Sequence, residues 1–165
     1  MILVALDLSS AFDTVDHCRL ITRLERTFGI QSSALRWFES YLCNREQAVR
    51  IDDVLSEWHV LGNSVPQGSI YGPVLFSAYI HPLSDIITNC GLMYHTYADN
   101  TQLYIKCTNL EADVKKLEEG LATIRKWLSA NQLQLNDNKT KVMLVATIID
   151  RTDFCTSRVG KEDIA

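Results

Sequence analysis

Hydrophobic and polar positions divide the chain into short apolar runs and longer amphipathic stretches. Residues 2–8 predict a short buried strand, because residues 2–6 are continuously apolar and partly β-branched. The clearest amphipathic stretch is residues 110–130, which predicts a helix because apolar side chains recur there at alternating spacings of four and three. These side chains are Leu110, Val114, Leu117, Leu121, Ile124 and Leu128. The seam is too short for a free coiled coil, so we expect it to pack against a sheet, with recruitment of a partner as the alternative.

The rest of the pattern predicts further helices and two strand hairpins. Helices are expected over residues 16–28, 33–43 and 72–88, and Pro82 should interrupt the last one. In the first helix the apolar side chains, Phe28 among them, should lie on the inner side. The arginines on its other side, Arg19, Arg23 and Arg26, are interpreted as a solvated face, with nucleic-acid contact as the alternative. Ser32 or Ser33 could cap the second helix. The predicted strands are residues 47–51 paired with 57–65, residues 92–98 paired with 101–106 across a tight turn at Asp99-Asn100, and residues 142–147. This order predicts an α+β fold in which helices pack on one face of an antiparallel sheet.

The composition is that of an ordinary globular domain. The 165 residues suffice for one domain, and 47% of them are hydrophobic while 22% are charged. The formal net charge of −4 counts against a general nucleic-acid binder, because such domains usually carry a basic excess. Any contact with nucleic acid would therefore need a local patch, or metal ions that bridge acidic side chains to phosphates.

The cysteines and the apolar runs bear on where the protein works. The five cysteines are scattered without C-x-x-C spacing, so we expect them to be reduced and mostly buried. They are Cys18, Cys43, Cys90, Cys107 and Cys155. The first apolar run lacks a basic leader, and no run approaches the roughly 18 residues of a membrane span. We expect an intracellular protein, nuclear or cytoplasmic, with no membrane partner.

Two aspartates stand at the ends of predicted strands. Asp7 follows the first apolar run directly, and Asp99 lies in the turn of the second hairpin. Two apolar strands that each deliver a carboxylate at the tip are what a two-metal site for phosphoryl transfer needs. Mg²⁺ prefers such oxygen ligands and keeps its other positions for water and phosphates.

Four segments resemble the motifs of one protein family, in the correct order. The segment Leu6–His17 closely resembles the first catalytic motif of reverse transcriptases from LINE-type, non-LTR retrotransposons. Ser64–Pro73 is similar to their motif that positions template and nucleotide, and Tyr97–Tyr104 to their hairpin motif, usually Tyr-Ala-Asp-Asp. Leu135–Lys141 resembles the next motif, which is centred on a lysine. The resemblance spans roughly residues 2–147 and implies a reverse-transcriptase palm domain.

The resemblance implies roles for the acidic and basic residues. Asp7 and Asp99 would hold two Mg²⁺ ions, with the backbone carbonyl of Leu8 as a further ligand. Lys139 would approach the triphosphate and donate a proton to the leaving pyrophosphate; a solvated surface role is its alternative. Asp13 and Asp16 are interpreted as structural or capping residues.

The resemblance also implies three residues that contact substrate. Phe12 would lie under the nucleotide sugar, where its ring excludes a 2′-hydroxyl and favours deoxynucleotides; plain core packing is the alternative. Gln67 and Gly68 would lie along the nucleotide and the template, and a simple turn is their alternative. The implied partners are an RNA template, a DNA primer and a deoxynucleoside triphosphate.

The chain departs from the family pattern at its hairpin and in its extent. Asn100 stands where the hairpin motif usually has a second aspartate, so we expect weaker metal binding and weak or absent catalysis. We expect a palm at residues 1–147 and a loose tail at 148–165, with the fingers and thumb missing. The alternative to a polymerase is a non-catalytic retrotransposon remnant, or a domain reused for protein interaction through exposed palm surfaces.

Overall fold

The computed structural model describes residues 1–145, which divide into two compact units. One unit contains Met1–Ala11 and the chain from Ile80 onward, and the other is Phe12–Tyr79. In chain order, the elements are β1 (Ile2–Leu6), β2 (Leu8–Ser9), α1 (His17–Arg26), α2 (Ser32–Leu42), β3 (Arg45–Gln47), β4 (Arg50–Ile51), β5 (Val54–Leu55), β6 (His59–Leu61), α3 (Gly72–Ile80), α4 (Leu83–Asn89), β7 (Met93–Tyr97), β8 (Asn100–Ile105), α5 (Leu110–Ala130), β9 (Gln134–Leu135) and β10 (Lys141–Leu144).

The first unit is built on a four-stranded antiparallel sheet with the strand order β10-β1-β8-β7. Alternate residues along β1 and β8 are buried, which gives the sheet one core face and one more exposed face. The buried side chains of these two strands are Ile2, Val4, Leu6, Thr101, Leu103 and Ile105. The register pairs Leu6 with Thr101, so the core face is continuous across the two strands.

Helix α5 occupies the residues that the apolar spacing predicts, and its seam packs internally. Leu117, Leu121, Ile124 and Leu128 are buried, whereas Leu110 at the first turn is exposed. The Asn109 side chain accepts a hydrogen bond from the Ala112 N–H and caps the helix. Neighbouring elements are α4 and β9. The seam therefore packs internally, and its packing against the four-stranded sheet stays a prediction.

The second unit starts with a helix whose termini follow the sequence signals. Asp16 caps α1 by accepting a hydrogen bond from the Arg19 N–H at 2.7 Å, which confirms its predicted capping role. Arg23 does not lie on a simply solvated face, contrary to the favoured interpretation of the α1 arginines. Its guanidinium donates to the Tyr79 carbonyl and lies 4.5 Å from the centre of the Tyr79 ring. Burial lowers the pKa of Arg23 and raises that of Tyr79.

Three local predictions are wrong in detail. The residue that precedes α2 is Gln31, so neither Ser32 nor Ser33 is its cap. Phe28, expected on the inner side of the first helix, is exposed. The first hairpin is interrupted: β3 pairs with β6 and β4 pairs with β5, and the register shifts between them. The interruption of residues 72–88 at Pro82 is confirmed, because α3 ends at Ile80 and α4 begins at Leu83.

The described cysteines are free thiols, but they are not buried as predicted. Cys18 and Cys43 are exposed, and Cys90 and Cys107 are half-buried. Three of the four lie outside helices and strands, since Cys43 and Cys90 follow the ends of α2 and α4 and Cys107 follows β8.

The predicted last strand ends inside the described range as β10, Lys141–Leu144. The predicted tail at 148–165 and the residue Cys155 lie outside the described residues, and the palm boundary at residue 147 stays a prediction. Within residues 1–145 no helix is both long and apolar enough to cross a bilayer.

Candidate active site

Strand register brings the two predicted catalytic aspartates to the same end of the sheet. Leu6 pairs with Thr101, Asp7 follows Leu6 directly, and Asp99 precedes Asn100 at the start of the neighbouring strand β8. Asp7 and Asn100 each lie one residue beyond the Leu6–Thr101 pair, and Asp99 lies in the adjacent turn. The register therefore places two carboxyl residues and one amide residue at this edge of the sheet.

The hairpin turn lies one residue earlier than the sequence predicts. Tyr97 pairs with Asn100, so the turn is Ala98-Asp99 and Asn100 is already a strand residue. Ala98 has φ +51°, a left-handed conformation that costs an L-residue roughly 1–2 kcal/mol. Asp and Asn adopt this conformation more readily than other L-residues, yet here Ala98 takes it. Strain of this kind persists only where surrounding structure holds it, and here the β7–β8 pairing does so.

The predicted lysine lies beside the first aspartate. Leu8 in β2 pairs with Leu135 in β9, and the Asn136 N–H donates to the Asp7 carbonyl at 2.8 Å. The Asn136–Thr140 turn that follows places Lys139 Nζ 4.0 Å from Asp7 Oδ2. The lysine side chain is mostly exposed, so this ion pair contributes little, about 0–1 kcal/mol. The ammonium can therefore turn to another anion at small cost.

The oxygen donors that the register places at this edge are two carboxylates and one amide. Among residues 1–145 no group of three or more Asp, Glu, His or Cys side chains could hold a metal ion. Asp7 and Asp99 supply two carboxylates, and the Asn100 side chain can add only a neutral amide oxygen. All three are hard oxygen donors of the kind that Mg²⁺ takes in proteins. The predicted contribution of the Leu8 carbonyl stays a prediction.

In the second unit, the first motif and the template motif are joined through their backbones. The Val65 N–H donates to the Phe12 carbonyl at 2.8 Å, and the Ser64 N–H donates to the Val15 carbonyl at 2.9 Å. His17 Nε2 lies 2.7 Å from the Ser64 carbonyl oxygen. These contacts join two segments that are more than 45 residues apart in sequence, and they fix the start of the loop that carries Gln67.

Phe12, Gln67 and Gly68 all lie in these two joined segments. The Phe12 ring is half-buried and stacks on the buried Phe76 ring with centroids 5.0 Å apart. Gln67 Nε2 donates to Asp13 Oδ1 at 3.3 Å, which gives Asp13 a contact in keeping with its predicted structural role. Gly68 has φ +76°, so the turn itself requires a glycine. The substrate roles of these residues stay predictions.

Sequence reasoning missed an aromatic cluster, which we define as Trp37, Phe38, Tyr41 and Tyr71. The rings of Trp37 and Tyr41 are 5.3 Å apart, and Tyr71 lies 5.1 Å from Trp37 and 5.9 Å from Tyr41. The i, i+4 spacing of Trp37 and Tyr41 was visible in the sequence as a helix face. Nothing local indicated that Tyr71, thirty residues later, joins them.

Comparison with known proteins defines the family. Residues 1–161 match the family model described as "Reverse transcriptase (RNA-dependent DNA polymerase)". The chain is 31% identical over 147 residues to a probable RNA-directed DNA polymerase from transposon BS of Drosophila melanogaster, covering 83% of this chain and 16% of the relative. It is 29% identical over 155 residues to the RNA-directed DNA polymerase from mobile element jockey of the same species, covering 91% and 16%. The chain therefore belongs to the reverse transcriptase family and spans about a sixth of the length of these relatives.

Solved structures agree on the fold. Apo telomerase from Candida tropicalis superposes with a TM-score of 0.65 at 12% identity, covering 86% of this chain and 30% of that one. Telomerase from Candida albicans superposes with a TM-score of 0.61 at 16% identity, covering 87% and 28%. The predictions of a palm-like α+β fold and of a reverse transcriptase domain from a LINE-type, non-LTR element are confirmed.

Proposed function

We propose that this chain is the palm of an RNA-directed DNA polymerase that joins a deoxynucleoside triphosphate to a DNA primer on an RNA template. The observation that carries the proposal is the edge of the first unit's sheet, where strand register gathers Asp7 and Asp99 and where Lys139 Nζ lies 4.0 Å from Asp7. Two carboxylates and a cation at one edge can bind a charged phosphate chain and metal ions together. The setting we expect is intracellular, nuclear or cytoplasmic.

We assign cation binding to the acidic residues and a proton transfer to the lysine. Asp7 and Asp99 would hold Mg²⁺, which when bound supplies charge neutralisation for the triphosphate and activation of the primer hydroxyl. In the reaction the primer 3′-hydroxyl releases its proton to water and its oxygen forms a bond to the α-phosphorus, while the bond from that phosphorus to the bridging oxygen breaks. Lys139 is assigned to donate a proton to the leaving pyrophosphate, and its weak pairing with Asp7 leaves the ammonium available for that task.

The second unit is assigned to substrate selection. Phe12 presents a half-buried ring whose position is fixed by the Phe76 stack, as a barrier against a 2′-hydroxyl requires. Gln67 and Gly68 are exposed in a turn whose backbone is held by the Ser64 and Val65 hydrogen bonds. These contacts support roles along the nucleotide and the template.

Asn100 should weaken cation binding in this chain. A unit negative charge about 5 Å from a divalent cation contributes roughly 2 kcal/mol even at the dielectric constant of water. Because Asn100 is exposed, we use this lower limit, which corresponds to more than a tenfold change in the dissociation constant. We therefore expect weak or absent catalysis from the chain as it stands.

A second candidate function is a non-catalytic domain used for protein interaction. It is favoured by the missing carboxylate at position 100 and by the first hairpin, where several large apolar side chains are more than half exposed. These are Val49, Ile51, Val54, Leu55, Trp58 and Val60. Apolar exposure on this scale is a frequent mark of an interaction surface. Sedimentation of the purified chain would test it: a monomer that binds no hydrophobic dye contradicts this candidate.

The test of the polymerase proposal has two readouts. Terbium luminescence measures cation binding without any need for polymerisation, and primer extension on an RNA template with Mg²⁺ or Mn²⁺ measures the reaction. The variants are Asn100→Asp and Asp7→Asn, the second having the same shape as the native side chain without its charge. We expect Asn100→Asp to bind terbium at least tenfold more tightly and Asp7→Asn to lose binding. Equal affinity in all three proteins would contradict a cation site at this edge.

Primer extension then separates the two candidates. Extension by the native chain that disappears in Asp7→Asn would establish a working polymerase. Extension by Asn100→Asp alone would assign the loss of activity to the one missing carboxylate. Cation binding without extension by any variant would favour the non-catalytic candidate for this chain.

A further inference from the structure

We propose that the aromatic cluster of the second unit, Trp37, Phe38, Tyr41 and Tyr71, binds single-stranded RNA by stacking against its bases. The inference rests on the proposed function, since an RNA template would supply the strand. It adds a binding surface that none of the four family motifs contains as a whole. Only Tyr71 belongs to a motif segment, and the other three rings come from helix α2.

The rings form one continuous aromatic surface. Trp37 and Tyr41 lie on the same side of α2 and stack at 12° with centroids 5.3 Å apart. Tyr71 packs edge-on against Trp37 at 5.1 Å and against Tyr41 at 5.9 Å. Phe38 meets Trp37 edge-on at 5.0 Å and contacts Tyr71 at 6.4 Å. Each ring is therefore held by its neighbours before any ligand arrives, which lowers the entropy cost of binding.

Much of this surface is open to solvent. Trp37 is 46% exposed and Tyr71 is 43% exposed, although a tryptophan held by three aromatic contacts would ordinarily belong to a core. Ile70, the neighbour of Tyr71, is 89% exposed. Every nucleobase has an apolar face, so half-exposed rings offer a stacking site that does not depend on base sequence.

A cation accompanies the rings. The Arg45 guanidinium lies 5.8 Å from the centre of the Tyr41 ring, at the start of β3 just beyond the end of α2. All six cationic residues of Phe12–Tyr79 are arginines: Arg19, Arg23, Arg26, Arg36, Arg45 and Arg50. Arginine combines aromatic stacking with phosphate binding, which lysine does less well. A ring surface with an arginine at its border has the composition of a single-strand site.

The cluster is continuous with the loop assigned to the template. Tyr71 lies three residues after Gly68, and the intervening turn is fixed because Ser69 Oγ donates to the Pro66 carbonyl at 2.8 Å. The Gly72 N–H donates to Ser69 Oγ at 3.0 Å, which continues that turn to the start of α3. A strand that follows the Gln67–Gly68 turn would thus reach the Tyr71 ring within one or two nucleotides. This continuity favours RNA over a protein as the occupant.

The test measures binding of a short fluorescent oligouridylate by anisotropy, in EDTA so that cations at Asp7 play no part. Trp37→Ala and Tyr71→Ala should each weaken binding about tenfold, the loss expected for one stacked base. Trp37→Phe and Tyr71→Phe keep a ring and should stay within about threefold of the native affinity. Phe28→Ala is the matched control, because Phe28 is an aromatic residue of the same unit that is 44% exposed and lies outside the aromatic cluster, and it should bind as the native chain does.

Salt dependence tests the arginine separately. Arg45→Gln should weaken binding and reduce the slope of log affinity against log salt by about 0.7, the contribution of one phosphate contact to a single strand. Unchanged affinity in Trp37→Ala and Tyr71→Ala, with folding verified by circular dichroism, would overturn the proposal. The proposal would also be overturned if the native chain did not bind RNA but self-associated through Trp37, because the cluster would then be a protein interface.

The outcome is separable from that of the proposed function. Terbium binding at Asp7 should be the same in the native chain and in all cluster variants. Loss of terbium binding in Asp7→Asn together with unchanged RNA affinity in the cluster variants would contradict only the RNA-binding inference. If the chain binds RNA through the cluster but binds no terbium, only the catalytic proposal is contradicted.

Discussion

Replacing Thr101 with valine should stabilise the protein. Thr101 is 2% exposed and lies on the core face of β8, between Asn100 and Leu103. Within residues 1–145 its hydroxyl has no hydrogen-bond partner. Valine has nearly the same shape, so Thr101→Val exchanges the unpaired hydroxyl for a methyl group without opening a cavity.

The magnitude follows from the burial. A buried hydroxyl without a partner costs about 1–3 kcal/mol, and a buried methyl group contributes roughly 0.8 kcal/mol. Because the neighbouring side chains can adjust, we take the lower end of the sum and expect a gain of about 2 kcal/mol in the free energy of unfolding. For a protein of this size, each kcal/mol raises the melting temperature by about 2–4 °C.

Urea denaturation followed by circular dichroism measures this gain. The midpoint should rise in Thr101→Val while the slope of the transition stays constant. Thr96→Val is the matched control, because Thr96 lies directly opposite Thr101 in the sheet but is exposed; its change should remain within about 0.5 kcal/mol. A loss of stability in Thr101→Val, with Thr96→Val unchanged, would refute the reasoning and show that the hydroxyl is hydrogen-bonded.

Two further predictions concern the second-unit loop and the cap of α5. Gly72→Ala should lower the free energy of unfolding by about 1–3 kcal/mol, because its Cβ would lie 2.8 Å from the Pro66 carbonyl oxygen. Gly62→Ala is its control, since a Cβ there would have no described atom within 4 Å. In a urea titration the control should change the free energy of unfolding by less than about 0.5 kcal/mol. The backbone N–H groups of Asn109 and Thr108 lower the pKa of Asp113 from 3.8, so its contribution to stability is present above that value and is lost as the pH falls through the lowered pKa. Asp113→Asn should therefore be less stable than the native chain at pH 7 and equally stable in strong acid, and a constant difference at both pH values would contradict this.

Much of the secondary structure and of the family assignment follows from the sequence alone. The periodicity of residues 110–130 defines α5, and Pro82 divides the helical stretch of residues 72–88. Both can be predicted because each signal depends only on residues close together in sequence. The two aspartates could also be predicted to meet, since each ends an apolar strand and the family motifs give their order. Local pattern and motif order thus determine the elements, the fold class and the principal residues of the candidate site.

Tertiary structure decided which of these elements become neighbours and which side chains they cover. Pairing of β2 with β9 brings Lys139 to Asp7, and the segment before α3 brings the Tyr71 ring to Trp37 in α2. The β8 register moves the hairpin turn to Ala98-Asp99 and buries the Thr101 hydroxyl. These outcomes depend on contacts between residues far apart in sequence. A local pattern fixes the face of a strand or helix, but not the partner against which that face packs.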